Sequence, residues 1–327
     1  MAKKAIRDAY GEALVKLGRE RKDIVVLDAD VANSSKSILF GKEFPERFYN
    51  VGISEANMAG MAAGMATMGK VPFINTFAAF MMLRAGDPIR SLIAYQNLNV
   101  KIGGTYAGLS DSYDGASHHA NKDIAFFRSI PNMTVISVCD AVETEKAVRA
   151  GIDIDGPVYF RLSRADMPII FDEDYNFEVG KGVILREGKD ATIVATGLMV
   201  HKALEAAELL KQDNISARVV NLHTIKPIDK ELLVKCAKET GAVVTAEEHS
   251  IYGGLYGAVS EVLSKEYPVP MSAVGIEDTF TESGDYEQLL SKYGLTAENI
   301  ANKVREILKR SIAMEPKPIV DYSNELK

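Results

Sequence analysis

The chain has 327 residues, of which 47% are hydrophobic and 25% are charged, so it is long enough to build two packed cores. Its formal net charge is −7, and its lysines and arginines are scattered among acids, which argues against a nucleic-acid-binding protein. The two cysteines, Cys139 and Cys236, are far apart and form no CxxC motif, which argues against a disulfide framework and a zinc site.

Two further features bear on where the protein works. The first residues, MAKKAIRDAYGEAL, are charged and have no apolar stretch of the kind found in a signal peptide. The longest apolar run, 58–69, is too short to cross a bilayer. Together with the cysteine pattern, these features predict a cytoplasmic protein.

In the first half of the chain, short β-branched runs alternate with amphipathic stretches. The runs at 24–28, 71–76, 100–103, 134–138 and 158–162 are predicted to be buried strands. The amphipathic stretch AVETEKAVRAGI is predicted to be a connecting helix over 141–152. Continuous apolar strands between helices indicate a parallel sheet that is covered on both faces.

A polar segment with proline, glycine and an acidic cluster separates this set from a second one. The second set has predicted strands at 192–195, 217–222 and 243–247 and predicted helices at 200–211, 230–238, 254–265 and 297–312. The predicted fold class is therefore α/β. The predicted organisation is a doubly wound parallel-sheet domain at 1–166, a linker at 167–189, a smaller α/β domain at 190–312 and a tail at 313–327.

The stretch YNVGISEANMAGMAAGMATMGKVP has a single carboxylate, Glu55, at the start of an apolar helix. The helix dipole favours an acid at this place, and Ser54 is a candidate N-cap, so Glu55 has a purely structural explanation. However, the methionines and alanines that follow at helical spacing predict burial, which disfavours the charged form of a carboxyl group. A buried carboxyl that holds or shares a proton is a candidate catalytic acid, and the residues alone leave both explanations open.

Several blocks of the sequence occur in the order found in one enzyme family. The block NVGISEANMAGMAAGMA contains Glu55, and the others lie at 72–80, 113–118, 128–133, 156–164, 224–229 and 246–249. This ordered set, which covers about residues 5–312, resembles the C-terminal half of the transketolases. The resemblance implies a pyrimidine-binding domain followed by a smaller three-layer transketolase C-terminal-like domain. It also implies transfer of a two-carbon ketol (glycolaldehyde) unit between a ketose phosphate and an aldose phosphate by means of a thiamine diphosphate ylid.

The resemblance implies that the aminopyrimidine of the cofactor is bound by Glu55, Phe77, Phe80 and His118. Glu55 matches the glutamate that hydrogen-bonds N1′ and favours the imino tautomer, whose 4′ nitrogen takes the thiazolium C2 proton. Phe80 matches the ring that stacks on the pyrimidine, with Phe77 beside it. From the residues alone, two phenylalanines three positions apart are equally typical of an ordinary core.

On the substrate side, Arg7, Ser34 and Arg164 match positions that bind the terminal phosphate of the sugar. An arginine fork suits a phosphate because it donates two parallel hydrogen bonds. The resemblance also makes Asp114 and His118 catalytic residues of a substrate-side loop. The structural alternatives, which stay open, are a surface Arg7, a capping Ser34, a salt-bridged Arg164 and a plain Asp-Gly turn at Asp114.

The family's signature for binding the diphosphate and Mg²⁺, Gly-Asp-Gly followed by Asn, is absent from the sequence. A metal site at Asp114, His118 and His119 would need a further ligand, so no metal ligands are predicted in this chain. We therefore expect a separate N-terminal subunit to supply the diphosphate site and the Mg²⁺ ligands, across an interface of roughly 2,000 Å² or more. An α2β2 assembly is expected, and this chain alone is expected to be inactive.

Some positions depart from the family pattern, all of them on the substrate side. Tyr106, a predicted substrate-binding residue, stands where the family commonly has histidine, and His119 stands where glutamine is common. Ser112 and Tyr113 replace the usual Gly-Glu before the aspartate, and Leu83 lies near a position that is aromatic in some members. The donor and acceptor sugars are therefore not identified by the resemblance.

Three other functions are compatible with parts of the pattern. They are the C-terminal half of a deoxyxylulose-phosphate-synthase-like enzyme, the beta subunit of a 2-oxo-acid dehydrogenase, and a non-catalytic module that only binds a partner. The TFAAF and DGASH blocks favour a transketolase over the first two. The presence of both Glu55 and Phe80 argues against the third.

Overall fold

The structure is a computed structural model that describes residues 2–313. Its strands are β1 Lys3–Ala5, β2 Ile24–Asp28, β3 Phe48–Asn50, β4 Val71–Phe77, β5 Lys101–Thr105, β6 Thr134–Ser137, β7 Val158–Leu162, β8 Asp166–Pro168, β9 Val183–Arg186, β10 Ala191–Ala195, β11 Ala217–Asn221, β12 Thr224–Lys226, β13 Val243–Ser250 and β14 Met271–Ile276. Its α-helices are α1 Ile6–Glu20, α2 Ala32–Ser35, α3 Ile38–Glu43, α4 Glu55–Thr67, α5 Ala78–Leu83, α6 Gly86–Pro88, α7 Asp123–Ser129, α8 Ala141–Ile152, α9 Met199–Gln212, α10 Lys230–Thr240, α11 Leu255–Glu266, α12 Tyr286–Lys292 and α13 Ala297–Ala313. Short 3₁₀ turns occupy Pro45–Arg47 and Ser112–Ser117, and a π-helical turn occupies Ile89–Ala94. The predicted tail lies outside the described residues from 314 onward.

The larger sheet has seven strands in the order β12-β6-β7-β5-β4-β2-β3. The strands from β6 to β3 are parallel to their neighbours, and the edge strand β12 is antiparallel. All five residues of β2, IVVLD, are buried, as are those of β5 and β7. Strands that are apolar on both faces need helices on both sides of the sheet.

Two hydrophobic cores show that helices do cover both faces. Ile24 and Val26 of β2 belong to a core that is built with α1, α8, α9 and α13. The alternate residues Val25 and Leu27 belong to a second core, built with α4, α7, α10 and α11. This alternation follows from the period of two of a β-strand, and it makes the fold doubly wound.

The smaller sheet has five strands in the order β14-β13-β10-β11-β9, parallel except for the edge strand β9. The two sheets are not independent, because β12 lies in the second half of the chain but pairs with β6 of the larger sheet. The ammonium group of Lys226 in β12 reinforces this junction by donating hydrogen bonds to the carbonyl oxygens of Arg128 (3.1 Å) and Ile130 (2.5 Å).

Local sequence signals fix the ends of several helices. The Asp140 carboxylate accepts a hydrogen bond from the backbone N–H of Glu143 and so caps α8. Asp229 caps α10 in the same way, and Gly241 ends α10 with a φ of 69°, a left-handed conformation that favours glycine. Asp140 and Asp229 lie immediately before the predicted starts of the two helices, 141 and 230.

The predicted α/β fold class is confirmed, and the strands at 24–28 and 158–162 and the helix at 141–152 have the predicted bounds. The prediction missed the strands β1, β3, β8, β9, β12 and β14. The segment 167–189, predicted as a linker, contains most of β8 and all of β9. The domain boundaries stay predictions.

Within residues 2–313, no helix combines the length and the apolar character needed to cross a membrane. Cys139 and Cys236 are both free and buried.

Candidate functional site

Most of the predicted site residues follow the carboxyl ends of adjacent parallel strands in the larger sheet. They are Ser34 after β2, Glu55 after β3, Phe77 at the end of β4, Tyr106 after β5 and Arg164 after β7. In parallel α/β sheets, ligands bind in the crevice outside this edge. Arg7 reaches the same region from the first turn of α1.

Two guanidinium groups converge on the side chain of Tyr106. Nη1 of Arg7 donates hydrogen bonds to the hydroxyl oxygen of Tyr106 (2.6 Å) and to the carbonyl oxygen of Ser34 (3.1 Å). The guanidinium carbons of Arg7 and Arg164 each lie 5.3 Å from the centroid of the Tyr106 ring. Among residues 2–313, neither arginine has a carboxylate within ion-pair distance, and the buried Nε of Arg7 has no hydrogen-bond partner. The salt-bridged alternative for Arg164 therefore does not apply.

Aromatic rings continue the cluster from Tyr106 towards α5. The ring of Phe77 stacks on that of Tyr106 at a centroid distance of 4.3 Å and on that of Phe80 at 5.7 Å. The ring of His118 lies edge-on to Phe80 at 4.9 Å, and its Nδ1 is 2.9 Å from the hydroxyl of Ser117. These rings form an apolar platform that is joined to the guanidinium groups through Tyr106.

Glu55 is the first residue of α4 and is only 8% exposed. The side chain of Ser54 makes no capping hydrogen bond, so Ser54 does not explain this helix start. In the part of the chain that the structure describes, the Glu55 carboxylate has no hydrogen-bond or ion-pair partner. Its carboxylate oxygens are not among the fully enclosed atoms without a partner, so a ligand in the crevice can reach them and donate a hydrogen bond.

The loop that carries Asp114 and His118 is held by the second half of the chain. Nδ1 of His119 lies 2.7 Å from the hydroxyl of Thr281, and its Nε2 lies 3.1 Å from the carbonyl oxygen of Ser112. Burial lowers the pKa of His119, so it is neutral at pH 7, and a proton on Nε2 with a free Nδ1 satisfies both contacts. The segment around Thr281 therefore fixes the shape of the loop that carries Asp114 and His118.

Gly115, also on this loop, has a φ of 73°, and a Cβ there would lie 2.4 Å from the hydroxyl of Ser283. A side chain at this position would be strained by the backbone and would also collide with the supporting segment. This explains the glycine in the DGASH block.

A buried ion pair lies beneath the site. Nε of Arg161 donates a hydrogen bond of 2.8 Å to Asp123, and its Nη2 donates to the carbonyl oxygens of Ala120 and Glu248. Tyr159 donates a further hydrogen bond to Asp123. Because Glu248 lies in β13 and Asp123 in α7, the network joins the two halves of the chain.

The structure links seven of the predicted site residues by direct contacts. They are Arg7, Ser34, Phe77, Phe80, Tyr106, His118 and Arg164. Glu55 lies at the same sheet edge but has no hydrogen bond or ion pair with them. The charges of Asp114 and Arg164 both act on the pKa of the buried Asp111, Asp114 raising it and Arg164 lowering it. Their roles stay predictions. Within residues 2–313, no group of three or more histidines, cysteines or acids is arranged to hold a metal ion.

Sequence reasoning missed the contributions of Asp111, Arg161 and Thr281. Arg161 had a usable signal, since a charged residue in the middle of the strand VYFRL predicts a buried partner. The other two had none, because their importance depends on contacts that the local sequence does not reveal.

Comparison with known proteins identifies the family. The transketolase pyrimidine binding domain matches residues 2–169, and the transketolase C-terminal domain matches residues 180–300. A protein of Methanocaldococcus jannaschii, provisionally named a transketolase C-terminal section, is 48% identical over 94% of this chain and 97% of its own length. Human transketolase is 39% identical, and the match covers 94% of this chain but 49% of the human protein.

Among solved structures, one described as a split gene transketolase, an inactive beta4 tetramer, is 51% identical. It superimposes with a TM-score of 0.86 over 93% of this chain and 98% of its own. These matches confirm the family that the sequence blocks predict, and the chain belongs to the transketolase family, of which it carries the pyrimidine-binding and C-terminal domains.

Proposed function

We propose that this chain is the C-terminal subunit of a split transketolase that transfers a two-carbon ketol unit from a ketose phosphate to an aldose phosphate. The observation that carries the proposal is the continuous cluster at the carboxyl edge of the larger sheet. In this cluster, a platform of aromatic rings and two guanidinium groups without ion pairs share Tyr106. Such a cluster fits an aromatic heterocycle beside a phosphorylated sugar.

The side chains present fit the aminopyrimidine of thiamine diphosphate. Glu55 is buried without a partner, as expected of a carboxyl group that hydrogen-bonds a ring nitrogen of a ligand. Phe77 and Phe80 offer ring faces, and His118 lies against the edge of Phe80. When bound, the cofactor supplies a carbon nucleophile that accepts the two-carbon unit.

In this proposal each residue has a defined task. Glu55 holds or gives up a proton at N1′ of the pyrimidine. Phe80 fixes the plane of the pyrimidine by stacking, with Phe77 beside it, and His118 borders the reacting groups. Asp114, exposed on its loop, accepts a hydrogen bond from a sugar hydroxyl.

Arg7 and Arg164 bind the terminal phosphate of the sugar. Both guanidinium groups have unused donors, and a hydrogen bond from such a group to a charged partner contributes about 1.5–3 kcal/mol. Tyr106 holds Arg7 in place by its hydroxyl group and presents its ring to both arginines. The carbonyl oxygen of Ser34 accepts a second hydrogen bond from the same nitrogen, Nη1 of Arg7.

A partner subunit completes the enzyme. The similar split gene transketolase matches this chain over 98% of its own length, and the sequence has no Gly-Asp-Gly signature. Both observations support a separate N-terminal subunit that binds the diphosphate and Mg²⁺, in an α2β2 assembly. The inactivity stated for the similar beta4 tetramer supports the expectation that this chain alone does not catalyse transfer. The two free cysteines support a cytoplasmic enzyme.

The test is reconstitution. This chain is mixed with the subunit that carries the diphosphate signature, and ketol transfer is followed with a panel of ketose phosphate donors and one aldose phosphate acceptor. We expect activity only when both chains, thiamine diphosphate and Mg²⁺ are present. Activity of this chain alone, or a mixture that binds thiamine diphosphate in calorimetry but transfers no ketol group from any donor, would refute the proposal.

A further inference from the structure

Asp111 is a buried acid for which the assigned roles give no explanation. It is only 1% exposed, and neither of its carboxylate oxygens has a hydrogen-bond donor among the residues that the structure describes. Although it precedes the 3₁₀ turn Ser112–Ser117, its side chain does not cap this turn. Since buried carboxylate oxygens are nearly always satisfied, the missing donor needs an explanation.

The carboxyl group of Asp114, one turn further along the same loop, is a neighbour of the Asp111 carboxyl group. The backbone N–H of Asp114 donates a hydrogen bond of 3.3 Å to the carbonyl oxygen of Asp111, and after burial the neighbouring Asp114 carboxyl group is the next cause that raises the pKa of Asp111. Two carboxylates cannot hydrogen-bond each other, because both only accept. If one of them carries a proton, its O–H supplies the donor that the pair lacks, and the two carboxyl groups can form a hydrogen bond.

Other charged groups around the pair decide which member holds the proton. Arg164 faces Asp111 from the segment after β7 and favours its charged form, but burial has the largest effect and raises the pKa of Asp111 to about 7. His119 lies near Asp114 and is neutral. Asp114 is exposed to water, whereas Asp111 is enclosed by the protein. The buried member therefore keeps the proton.

We propose that Asp111 is a positioning residue, the protonated member of a carboxyl pair that orients the carboxylate of Asp114 towards the substrate. The inference rests on the proposed function, because that function gives Asp114 its contact with the sugar. The O–H of protonated Asp111 donates a hydrogen bond to one oxygen of Asp114, and the other oxygen of Asp114 stays free to accept a hydrogen bond from a sugar hydroxyl. Loss of the shared proton makes the two carboxylates repel each other and displaces Asp114.

Two variants separate positioning from simple packing. Asp111→Asn keeps the size of the side chain and donates a hydrogen bond at every pH, whereas Asp111→Leu has no donor. With the reconstituted enzyme, we expect kcat/KM of the wild type to fall about 5-fold between pH 7 and pH 8 as the pair loses its proton. Asp111→Asn keeps wild-type activity at pH 6.5 and does not fall, and Asp111→Leu has a KM raised about 10-fold at every pH, with kcat changed much less.

The matched control is Asp174→Asn, which removes an exposed acid outside the site and should leave the pH profile unchanged. The proposal is overturned if Asp111→Asn and Asp111→Leu are impaired alike at every pH. It is also overturned if the wild type and Asp111→Asn have the same pH profile.

A second measurement needs no activity and tests the shared proton even if the proposed function fails. An acid whose folded pKa is about 7, against 3.8 for the ordinary side chain, loses its proton first in the unfolded chain. The wild type is therefore destabilised, relative to Asp111→Asn, as the pH rises from about 4 to 7. We expect the melting temperature of Asp111→Asn minus that of the wild type to increase over this range in the isolated full chain. A difference that is constant with pH would overturn the shared proton.

Discussion

Arg7 and Tyr106 are joined twice, although they lie 99 residues apart in the sequence. Nη1 of Arg7 donates a 2.6 Å hydrogen bond to the hydroxyl of Tyr106, and the guanidinium carbon lies 5.3 Å from the centroid of the ring. Arg7 is therefore fixed by the protein itself, whereas Arg164 touches Tyr106 only through the ring face and is exposed. The difference makes Arg164 the more adjustable of the two predicted phosphate ligands.

Arg164→Ala is expected to raise KM for a phosphorylated acceptor by roughly 10- to 150-fold, the equivalent of about 1.5–3 kcal/mol from one charge-assisted hydrogen bond. For an acceptor without a phosphate, KM should change little, since the lost contact involves the phosphate alone. Steady-state kinetics with both acceptors measure this difference. Arg186→Ala is the control, because Arg186 pairs with Glu208 on the surface. Equal effects of Arg164→Ala on both acceptors would remove the phosphate role.

Glu55→Gln is expected to lower kcat by roughly 10²–10⁴-fold, the usual contribution of a positioned acid–base group. The amide fits the same buried place without a charge, so assembly with the partner and the melting temperature should be retained. Turnover and size-exclusion chromatography of the reconstituted enzyme measure the two quantities. Glu298→Gln, a change of an exposed acid at the start of α13, serves as the control. Near-normal turnover of Glu55→Gln would take Glu55 out of the mechanism.

Much of the fold could be predicted from the sequence because its central strands are apolar and its helices have clear caps. The strand IVVLD at 24–28 and the helix that Asp140 caps are examples. By contrast, β1, β3 and β12 have three residues each, too few for a period of two to be recognised. Their formation depends on pairing with strands that lie far away in the sequence.

The candidate site, too, could be predicted from the sequence only in part. The residues that follow long strands, such as Tyr106 and Arg164, could be predicted because sequence blocks mark them and parallel strands end at one edge. The hydrogen bond between His119 and Thr281 joins residues that are 162 positions apart in the sequence. The lack of a hydrogen-bond donor to the Asp111 carboxylate can be recognised only once its burial is known. Such features depend on tertiary packing, which no local pattern encodes.

Asp123→Asn is expected to destabilise the chain by about 3–5 kcal/mol, the usual cost of leaving one member of a buried ion pair without its partner. Arg161 and Asp123 are 4% and 0% exposed, so water cannot replace the lost carboxylate. Urea unfolding of the isolated chain measures the change. Glu208→Gln, which breaks a more exposed pair, should cost no more than about 1 kcal/mol.

A double variant distinguishes the charge imbalance from a loss of packing. Asp123→Asn combined with Arg161→Met removes both charges, keeps an acceptor for the hydroxyl of Tyr159, and should recover part of the stability that Asp123→Asn alone loses. A double variant less stable than Asp123→Asn would show that the hydrogen bonds of Arg161 to Ala120 and Glu248 matter more than its pairing with Asp123.

Thr281→Val tests whether the second half of the chain shapes the substrate-side loop. The change keeps the size of the side chain but removes the 2.7 Å contact with Nδ1 of His119, at a cost of about 0.5–1.5 kcal/mol. We expect a raised KM for the acceptor and unchanged binding of thiamine diphosphate, measured by kinetics and calorimetry. Thr279→Val, an exposed change two positions earlier, is the control. Unchanged acceptor kinetics in Thr281→Val would mean that the loop keeps its shape without this contact.

Lys101 provides the clearest pH dependence of stability. Its side chain is buried, donates hydrogen bonds to the carbonyl oxygens of Ile154 (2.6 Å) and Gly156 (3.0 Å), and has a pKa lowered by burial to about 7, against 10.5 for an ordinary lysine. Between these two values the unfolded chain binds the proton more strongly than the folded one, so stability rises with pH. The slope is at most about 1.4 kcal/mol per pH unit.

We therefore expect the free energy of unfolding of the wild type, minus that of Lys101→Met, to increase between pH 7 and pH 10 in urea titrations. Below pH 7 both folded and unfolded chains carry the proton on Lys101, so the difference should become flat. Lys70→Met, at an exposed position, should show no such increase. A difference that stays level from pH 7 to pH 10 would mean that the buried ammonium keeps its proton, held by the two carbonyl oxygens strongly enough to offset its burial.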